Sequence, residues 1–213
     1  DQAHGDGLHT AQVLLTSTDL DDRHRYLNIR NTIHTLFSLN TVVPIVNEND
    51  SVATDELRFG DNDTLSARVA SKIDADILII LSDIDGLYDR NPTKHKDAKL
   101  IEHVVQVDDS IEALAEDTGA ETSVGGMKTK LHAARIACAS GLSTVIANGR
   151  TPDILRGVLD GSARCTRFGA STVGSAASTR EDRGSDPDGS DHEHADRRDA
   201  GPAVTAVPVA IAR

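Results

Sequence analysis

The stretch Ile77-Leu-Ile-Ile-Leu-Ser-Asp-Ile-Asp-Gly-Leu-Tyr88 decides the fold class of this chain. It opens with a run of apolar residues, which is typical of a strand covered on both faces, as in the parallel sheets of α/β proteins. Polar residues follow at once, and in such sheets ligands bind beyond the carboxyl ends of the strands. Ser82 and Asp83 are therefore candidate ligand contacts, although Asp85-Gly86 alone also fits an ordinary tight turn.

Helices and strands alternate on both sides of this stretch, which predicts a parallel α/β sheet with right-handed crossovers. The predicted helices lie over residues 26–37, 65–73, 109–115, 131–138 and 152–159, and the predicted strands over 42–46, 77–81 and 143–147. Asn62 or Asp63 is a suitable N-cap for the second helix. Gly141 suits the residue after the fourth helix, and Pro152 the first residue of the fifth. Pro44 favours an edge or a bulge for the first strand.

A glycine turn, Ser123-Val-Gly-Gly-Met-Lys-Thr-Lys130, precedes the fourth predicted helix. Two adjacent glycines let backbone N–H groups approach an anion, and the helix start adds unpaired donors and the positive end of the helix dipole. Lys128 and Lys130 add mobile positive charge. The turn is therefore a candidate phosphate-binding device. The alternative is a plain turn in which Ser123 caps the helix and both lysines lie on the surface.

Two further polar clusters flank predicted elements. Asn47-Glu-Asn-Asp50 comes directly after the strand at 42–46, and Gly60-Asp-Asn-Asp63 opens the helix that follows. Each cluster alone fits a turn or a helix cap. Because the carboxyl ends of parallel strands meet at one edge of a sheet, we expect these amides and carboxylates to lie at the same edge as the cationic glycine turn.

Composition disfavours several classes of function. The net charge of −12, the 2% aromatic content and the lack of tryptophan disfavour nucleic-acid binding, because an acidic surface repels the phosphate backbone and offers no stacking platform. No apolar run approaches ~18 residues, so the sequence predicts no membrane span. Cys138 and Cys165 are too few for a disulfide framework or a zinc site, which favours the reducing cytoplasm. Residues 1–169 carry the apolar content of one domain, whereas 170–213 form a low-complexity tail that we expect to be disordered.

Three segments resemble consecutive parts of the glutamate 5-kinases, also called γ-glutamyl kinases, within the amino acid kinase family. They are residues 47–63, 78–88 and 125–131, and the resemblance spans roughly residues 8–169. It implies the amino acid kinase fold, an α/β three-layer αβα sandwich with a mainly parallel sheet. It also implies a homo-oligomer, for which the apolar residues between Tyr26 and Phe37 offer a contact face; the same face fits plain core.

The resemblance implies ATP-dependent phosphorylation of the γ-carboxylate of L-glutamate to γ-glutamyl phosphate, the first step of proline biosynthesis. Lys130 would stabilise charge on the transferring phosphoryl group, and Asp63 would orient it. Asp50 would accept the α-amino group of glutamate, while Asn47 and Asn62 would bind glutamate through their carboxamides. The implied ATP contacts are Ser82, Asp83, Val124, Gly125, Gly126, Met127, Lys128, Thr129 and Lys130. Magnesium would arrive with ATP, held by phosphates and water rather than by a dedicated protein site.

The sequence also departs from the family pattern. The family carries a lysine on a first strand, in a Val-Lys-Leu-Gly-like segment, followed by a Ser-Gly-rich loop, and this sequence has neither. We therefore expect an N-terminally incomplete kinase domain that lacks half of the catalytic cation pair. Two hypotheses remain: a glutamate 5-kinase whose activity needs the preceding segment, or a non-catalytic fragment or partner subunit that only binds nucleotide. Ser123-Val124 in place of Gly-Thr also removes one glycine and one hydroxyl from the phosphate loop.

Overall fold

The computed structural model of the protein describes residues 7–52, 61–117 and 126–169, in which strands and helices alternate. The strands are β1 (His9–Leu15), β2 (Val42–Glu48), β3 (Ile77–Ser82), β4 (His103–Val104), β5 (Ser143–Asn148) and β6 (Cys165–Phe168). The helices are α1 (Ser17–Asp21), α2 (Arg23–Ser38), α3 (Asn62–Lys72), α4 (Asp109–Asp117), α5 (Met127–Ala139) and α6 (Ile154–Asp160). None of the helices in these ranges has the length and apolar character that crossing a bilayer requires. The predicted tail at 170–213 lies outside the described residues.

The described strands form two sheets. β1 pairs in parallel with β2, with Ala11 opposite Pro44, and the second sheet has the order β3-β5-β6-β4. β3–β5 and β4–β6 are parallel, whereas β5–β6 is antiparallel. The mainly parallel α/β architecture is therefore confirmed, with one antiparallel pair and a division into two sheets that the sequence did not predict. Among the described strands β2 pairs only with β1, so Pro44 lies in an edge strand, where its missing N–H is tolerated.

Helices cover both faces of the β3–β5 pair, as the apolar run of β3 predicts. Leu78 and Ile80 belong to the larger core, which also contains residues of α3 and α5. Ile77 and Val145 belong to a second core that they share with Val158 of α6. Because successive side chains of a strand point to opposite faces, α3 and α5 cover one face and α6 the other. This is the three-layer arrangement.

Small side chains line the contact between α3 and α5. Ala67 and Ala70 of α3, together with Ala133, Ala134 and Ala137 of α5, are at most 1% exposed. Since an alanine side chain ends at Cβ, helices that meet on alanines can approach closely. α3 also contacts β2 and β3, and α5 contacts β5. α3 therefore packs against both sheets, and α5 packs against the sheet that contains β5.

The N-terminus of α3 differs from the sequence prediction. The N-cap is Asp61, whose carboxylate accepts the backbone N–H of Thr64, and the prediction of Asn62 or Asp63 as the cap is wrong. Asp63 is only 6% exposed. Its carboxylate turns into the protein, so it is not available to cap the helix.

The ends of α5 and α6 give one confirmation and one correction. Gly141, with φ of 83°, follows the C-cap Ser140 of α5, as predicted. The helix predicted from Pro152 begins instead at Ile154. Asp153 has φ of 53°, and this left-handed conformation cannot continue a right-handed helix back to the proline.

Three strands and one short helix are absent from the sequence prediction. β1 mixes exposed polar residues such as Thr10 and Gln12 with an exposed Leu14, so its apolar residues do not alternate cleanly. β4 has two residues and β6 has four. Segments this short carry too few positions for a period to be read. Their pairing with β5 and with each other decides that they are strands.

Candidate functional site

The first turns of α3 and α5 meet at one edge of the fold. β2 leads through α3 into β3, and α5 leads into β5, which is parallel to β3. Each helix runs back along the strand that follows it, so the N-termini of α3 and α5 lie at the carboxyl ends of β3 and β5. Asn62 and Asp63 begin α3, and Met127–Lys130 form the first turn of α5. They lie at the edge where parallel α/β sheets bind ligands.

A buried ion pair joins the first turns of α3 and α5. The ammonium of Lys130 donates to the Asp63 carboxylate across 3.0 Å, and the two side chains are only 10% and 8% exposed. Burying an isolated charge is costly, and in this pair each charge compensates the other. The alternative with two surface lysines in this turn is therefore wrong for Lys130, whereas Lys128 is exposed.

Thr129 extends this pair into a three-residue cluster. Its hydroxyl oxygen lies 2.8 Å from the Asp63 carboxylate and 2.8 Å from the carbonyl oxygen of Gly126. A hydroxyl has a single proton, which is shared between these two acceptors. Asp63 therefore accepts from two consecutive residues of α5 and fixes the first turn of that helix. The sequence assigned Thr129 to the nucleotide and did not predict its contact with Asp63.

The N-terminus of α5 is the part of the predicted phosphate loop that the structure describes. Its N-cap is Gly126, which offers no side-chain cap to the first N–H groups of the helix. These donors and the positive end of the helix dipole point to the same edge as Lys130. Ser123, the cap in the alternative prediction, lies outside the described residues. Val124 and Gly125, the other predicted parts of the phosphate loop, lie outside the described residues.

The predicted glutamate contacts belong to two elements. Asn62, half-buried, precedes Asp63 in the first turn of α3, and Asn47 is half-buried near the end of β2. Asp50 is exposed in the turn after β2. The backbone N–H of Asn49 donates to the carbonyl of Leu15 across 2.8 Å, which ties the start of this turn to β1.

Ser82 and Asp83 lie where β3 ends. The carbonyl oxygen of Ser82 accepts the backbone N–H of Gly149 across 2.8 Å, so the ends of β3 and β5 are held together. The hydroxyl of Ser82 lies 3.3 Å from the carboxylate of Asp83, which is exposed. Both residues thus lie at the carboxyl end of β3, and their contact with a ligand stays a prediction.

A second polar cluster, centred on Asp85, lies just beyond Asp83. Its carboxylate accepts from the amide of Asn148 across 3.1 Å and from the hydroxyl of Tyr88 across 3.1 Å, and it pairs with the guanidinium of Arg164 at 3.2 Å. Sequence reasoning missed Asn148 and Arg164. The position of Asn148 after the strand at 143–147 was a usable signal, whereas nothing local marks Arg164.

Neither cysteine is set up as a nucleophile. Burial raises the pKa of Cys138. Burial also raises the pKa of Cys165. Thiols with raised pKa values remain protonated at neutral pH and react slowly. In the three described ranges, no group of three or more His, Cys, Asp or Glu side chains is placed to hold a metal ion.

Comparison with known sequences identifies relatives of the chain. The profile of the amino acid kinase family matches residues 3–148. Glutamate 5-kinase of Chromobacterium violaceum is 52% identical over 171 residues, which are 80% of this chain and 46% of the relative. Glutamate 5-kinase 2 of Bacillus licheniformis is 50% identical over 162 residues, which are 76% of this chain and 43% of the relative. The chain thus spans less than half the length of these curated relatives.

Solved structures with a similar fold include a product complex of isopentenyl phosphate kinase from T. acidophilum. Its TM-score is 0.52 at 17% sequence identity, and the match covers 78% of this chain and 62% of that chain. At this level of identity, the similarity shows the fold alone.

Proposed function

This chain belongs to the amino acid kinase family, and we propose that it performs the glutamate 5-kinase reaction, in which the γ-phosphoryl group of ATP passes to the γ-carboxylate of L-glutamate. The observation that carries the proposal is the buried Asp63–Lys130 pair at the N-terminus of α5. Identities of 52% and 50% to curated glutamate 5-kinases favour this reaction over non-catalytic nucleotide binding.

Phosphoryl transfer requires mainly positioning and charge neutralisation, because charge spreads over the phosphoryl oxygens in a loose transition state. Lys130 supplies positive charge beside the N–H groups that begin α5. Asp63 holds the ammonium at 3.0 Å, so the charge is in place before the substrates arrive. We assign charge stabilisation to Lys130 and its orientation to Asp63. A preorganised group of this kind contributes about a hundredfold to a thousandfold in rate.

The glutamate contacts are proposed from side-chain chemistry and position. Glutamate carries an α-amino group, and the carboxylate of Asp50 would pair with it. The carboxamides of Asn47 and Asn62 each offer both a donor and an acceptor, which suits a zwitterion. Asp50 is exposed, so it is accessible to a substrate that enters from solvent.

The ATP contacts are proposed at Ser82, Asp83 and the phosphate loop that ends at Lys130. ATP would bind together with Mg²⁺, and the ion would neutralise negative charge on the phosphates. One carboxylate oxygen of Asp63, Oδ2, already accepts from both Lys130 and Thr129. Phosphate oxygens and water would therefore supply most of the metal ligands.

A coupled ADP-release assay tests the proposal, with and without L-glutamate. The assay protein is this chain preceded by the residues that stand before the matched region of the Chromobacterium violaceum relative. We expect glutamate-dependent turnover, and we expect Lys130→Ala to lower kcat about a hundredfold or more with a smaller change in the KM for glutamate. Lys96→Ala, which removes an exposed lysine from a loop, is the matched control and should leave kcat unchanged.

Three results would contradict the proposal. ADP release that does not depend on glutamate would show that glutamate is not the acceptor. Unchanged kcat in a folded Lys130→Ala variant would remove the role of the lysine, and ATP binding without any turnover would favour the non-catalytic alternative.

A further inference from the structure

We infer that Asp85, Arg164 and Thr166 are positioning residues that hold the loop at residues 83–88, and with it Ser82 and Asp83, in place for the nucleotide. The inference rests on the proposed function in that it takes the ligand at this edge to be ATP. The three residues need no contact with the substrates, because they act through the loop.

Both carboxylate oxygens of Asp85 are engaged by protein donors. Oδ1 accepts from Asn148, at the end of β5, and Oδ2 lies near both the Tyr88 hydroxyl and the Arg164 guanidinium. Arg164 also donates to the Tyr88 hydroxyl across 3.4 Å. Asp85 thus joins its own loop to β5 and to the residue before β6. A carboxylate used in this way serves as an anchor rather than as a ligand for substrate.

Thr166 of β6 contacts the loop at residues 83–88 and Ile101. It is fully buried, its hydroxyl oxygen accepts the backbone N–H of Leu87 across 2.8 Å, and the same hydroxyl donates to the carbonyl of Ile101 across 2.7 Å. The backbone at Gly86 lies so close that a Cβ there would come within 2.3 Å of the Thr166 hydroxyl oxygen. Only glycine fits this approach, so the loop sits directly on β6.

These anchors act on the end of β3. Asn148, which holds Asp85, also accepts the backbone N–H of Arg150 across 3.0 Å, so its amide is oriented from both ends. The next residue, Gly149, donates to the carbonyl of Ser82. The position of the Ser82 backbone is therefore set from the strand side by Gly149 and from the loop side by Asp85. Asp83 lies between these two fixed points.

We expect the Asp85–Arg164 pair to position the loop rather than to stabilise the fold. The Arg164 side chain is 66% exposed, and an ion pair this exposed adds little to stability. Even a small displacement of a group that binds the ligand, however, weakens the interactions that the group makes. A loss of the pair should therefore appear in nucleotide affinity before it appears in the unfolding temperature.

Direct ATP binding measured by calorimetry, without glutamate, tests the inference. We expect Arg164→Leu to raise the Kd for ATP on the order of tenfold. Arg164→Lys should give an intermediate Kd, because lysine restores the charge but not the contact to Tyr88. Thr166→Val should weaken ATP binding as well. Arg90→Leu is the matched control, since Arg90 is also an exposed arginine paired with aspartates, Asp89 and Asp97. Its Kd should stay at the unsubstituted value.

Hydrogen exchange at residues 83–88 supplies the second measurement. Faster exchange there in Arg164→Leu, together with weaker ATP binding and an unchanged melting temperature, supports a positioning role. A variant that is folded and binds ATP as tightly as the unsubstituted protein overturns the inference, and so does a chain that binds no ATP. ATP binding that depends on Arg164 without glutamate-dependent turnover would leave this inference standing and contradict the proposed reaction.

Discussion

At the scale of single residues, Asp63 connects structure and proposed chemistry. Its carboxylate accepts from Thr129 and from Lys130 of α5, so it holds the helix start and the cation at once. Replacement of one member of a buried ion pair leaves the other charge uncompensated, which typically costs about 3–5 kcal/mol. Loss of Asp63 would therefore affect both folding and rate, whereas the exposed Asp50 is a cleaner probe of substrate recognition.

Asp50→Ala should raise the KM for glutamate far more than the KM for ATP. The substitution removes the proposed charge partner of the α-amino group and leaves the contacts assigned to the nucleotide intact. Asp50 is exposed in the turn after β2, so the fold should tolerate the change. Steady-state kinetics with each substrate varied in turn, in the longer assay protein, measure both constants. Equal changes in the two KM values would refute the assignment of Asp50, and Asp97→Ala, at another exposed aspartate, is the control.

At the scale of elements, two different aspartates at the start of α3 cap the helix and contribute to the proposed site. Asp61 caps the helix, and this leaves the buried Asp63 to meet α5. The two aspartates lie two positions apart, which is less than one helical turn, so they point in different directions. A capping residue placed outside the helix thus frees the acid inside the first turn for the site.

Asp61→Ala should lower the free energy of unfolding by about 1 kcal/mol, within the range of roughly 0.5–2 kcal/mol for loss of an N-cap. The Thr64 N–H loses its acceptor. Asp61→Asn keeps an acceptor oxygen and should lose much less. Urea denaturation followed by circular dichroism measures the difference. An unchanged midpoint in Asp61→Ala would mean that solvent satisfies the helix end equally well.

At the scale of the whole molecule, the two hydrogen-bonded sheets of the described ranges share one helix, α3, which contacts both β2 and β3. Lys130 is the lysine of the buried cluster with Asp63 and Thr129. The family resemblance predicts a second lysine, on a strand that this sequence does not contain. Homo-oligomer formation and a cytoplasmic location, also implied from the sequence, stay predictions.

The 213-residue chain alone should show little glutamate-dependent ADP release, and the longer assay protein should restore turnover. In the short chain, Lys130 would neutralise charge on the phosphoryl group without the second lysine. The loss of one such group costs about a hundredfold to a thousandfold in rate. The same coupled assay, run at equal concentrations of both proteins, makes the comparison. Robust turnover by the short chain would show that the second lysine is not required.

The sequence by itself determined the elements with a strong period and the residues adjacent to them. The apolar run of β3, the glycine before α5 and the acids around α3 are local signals, because each depends on neighbours within a few positions. They sufficed for the α/β class and for candidate residues such as Ser82 and Lys130.

Only the tertiary structure decided which candidates meet. The Lys130–Asp63 pair joins residues 67 positions apart, and the buried contact of Thr166 with Leu87 joins residues 79 positions apart. No local pattern encodes such a pairing, because it depends on how the helices and strands pack. The same reason explains why Arg164 escaped the sequence analysis and why the short strand β6 is defined by its neighbours: their roles come from contacts with distant residues, not from the residues beside them.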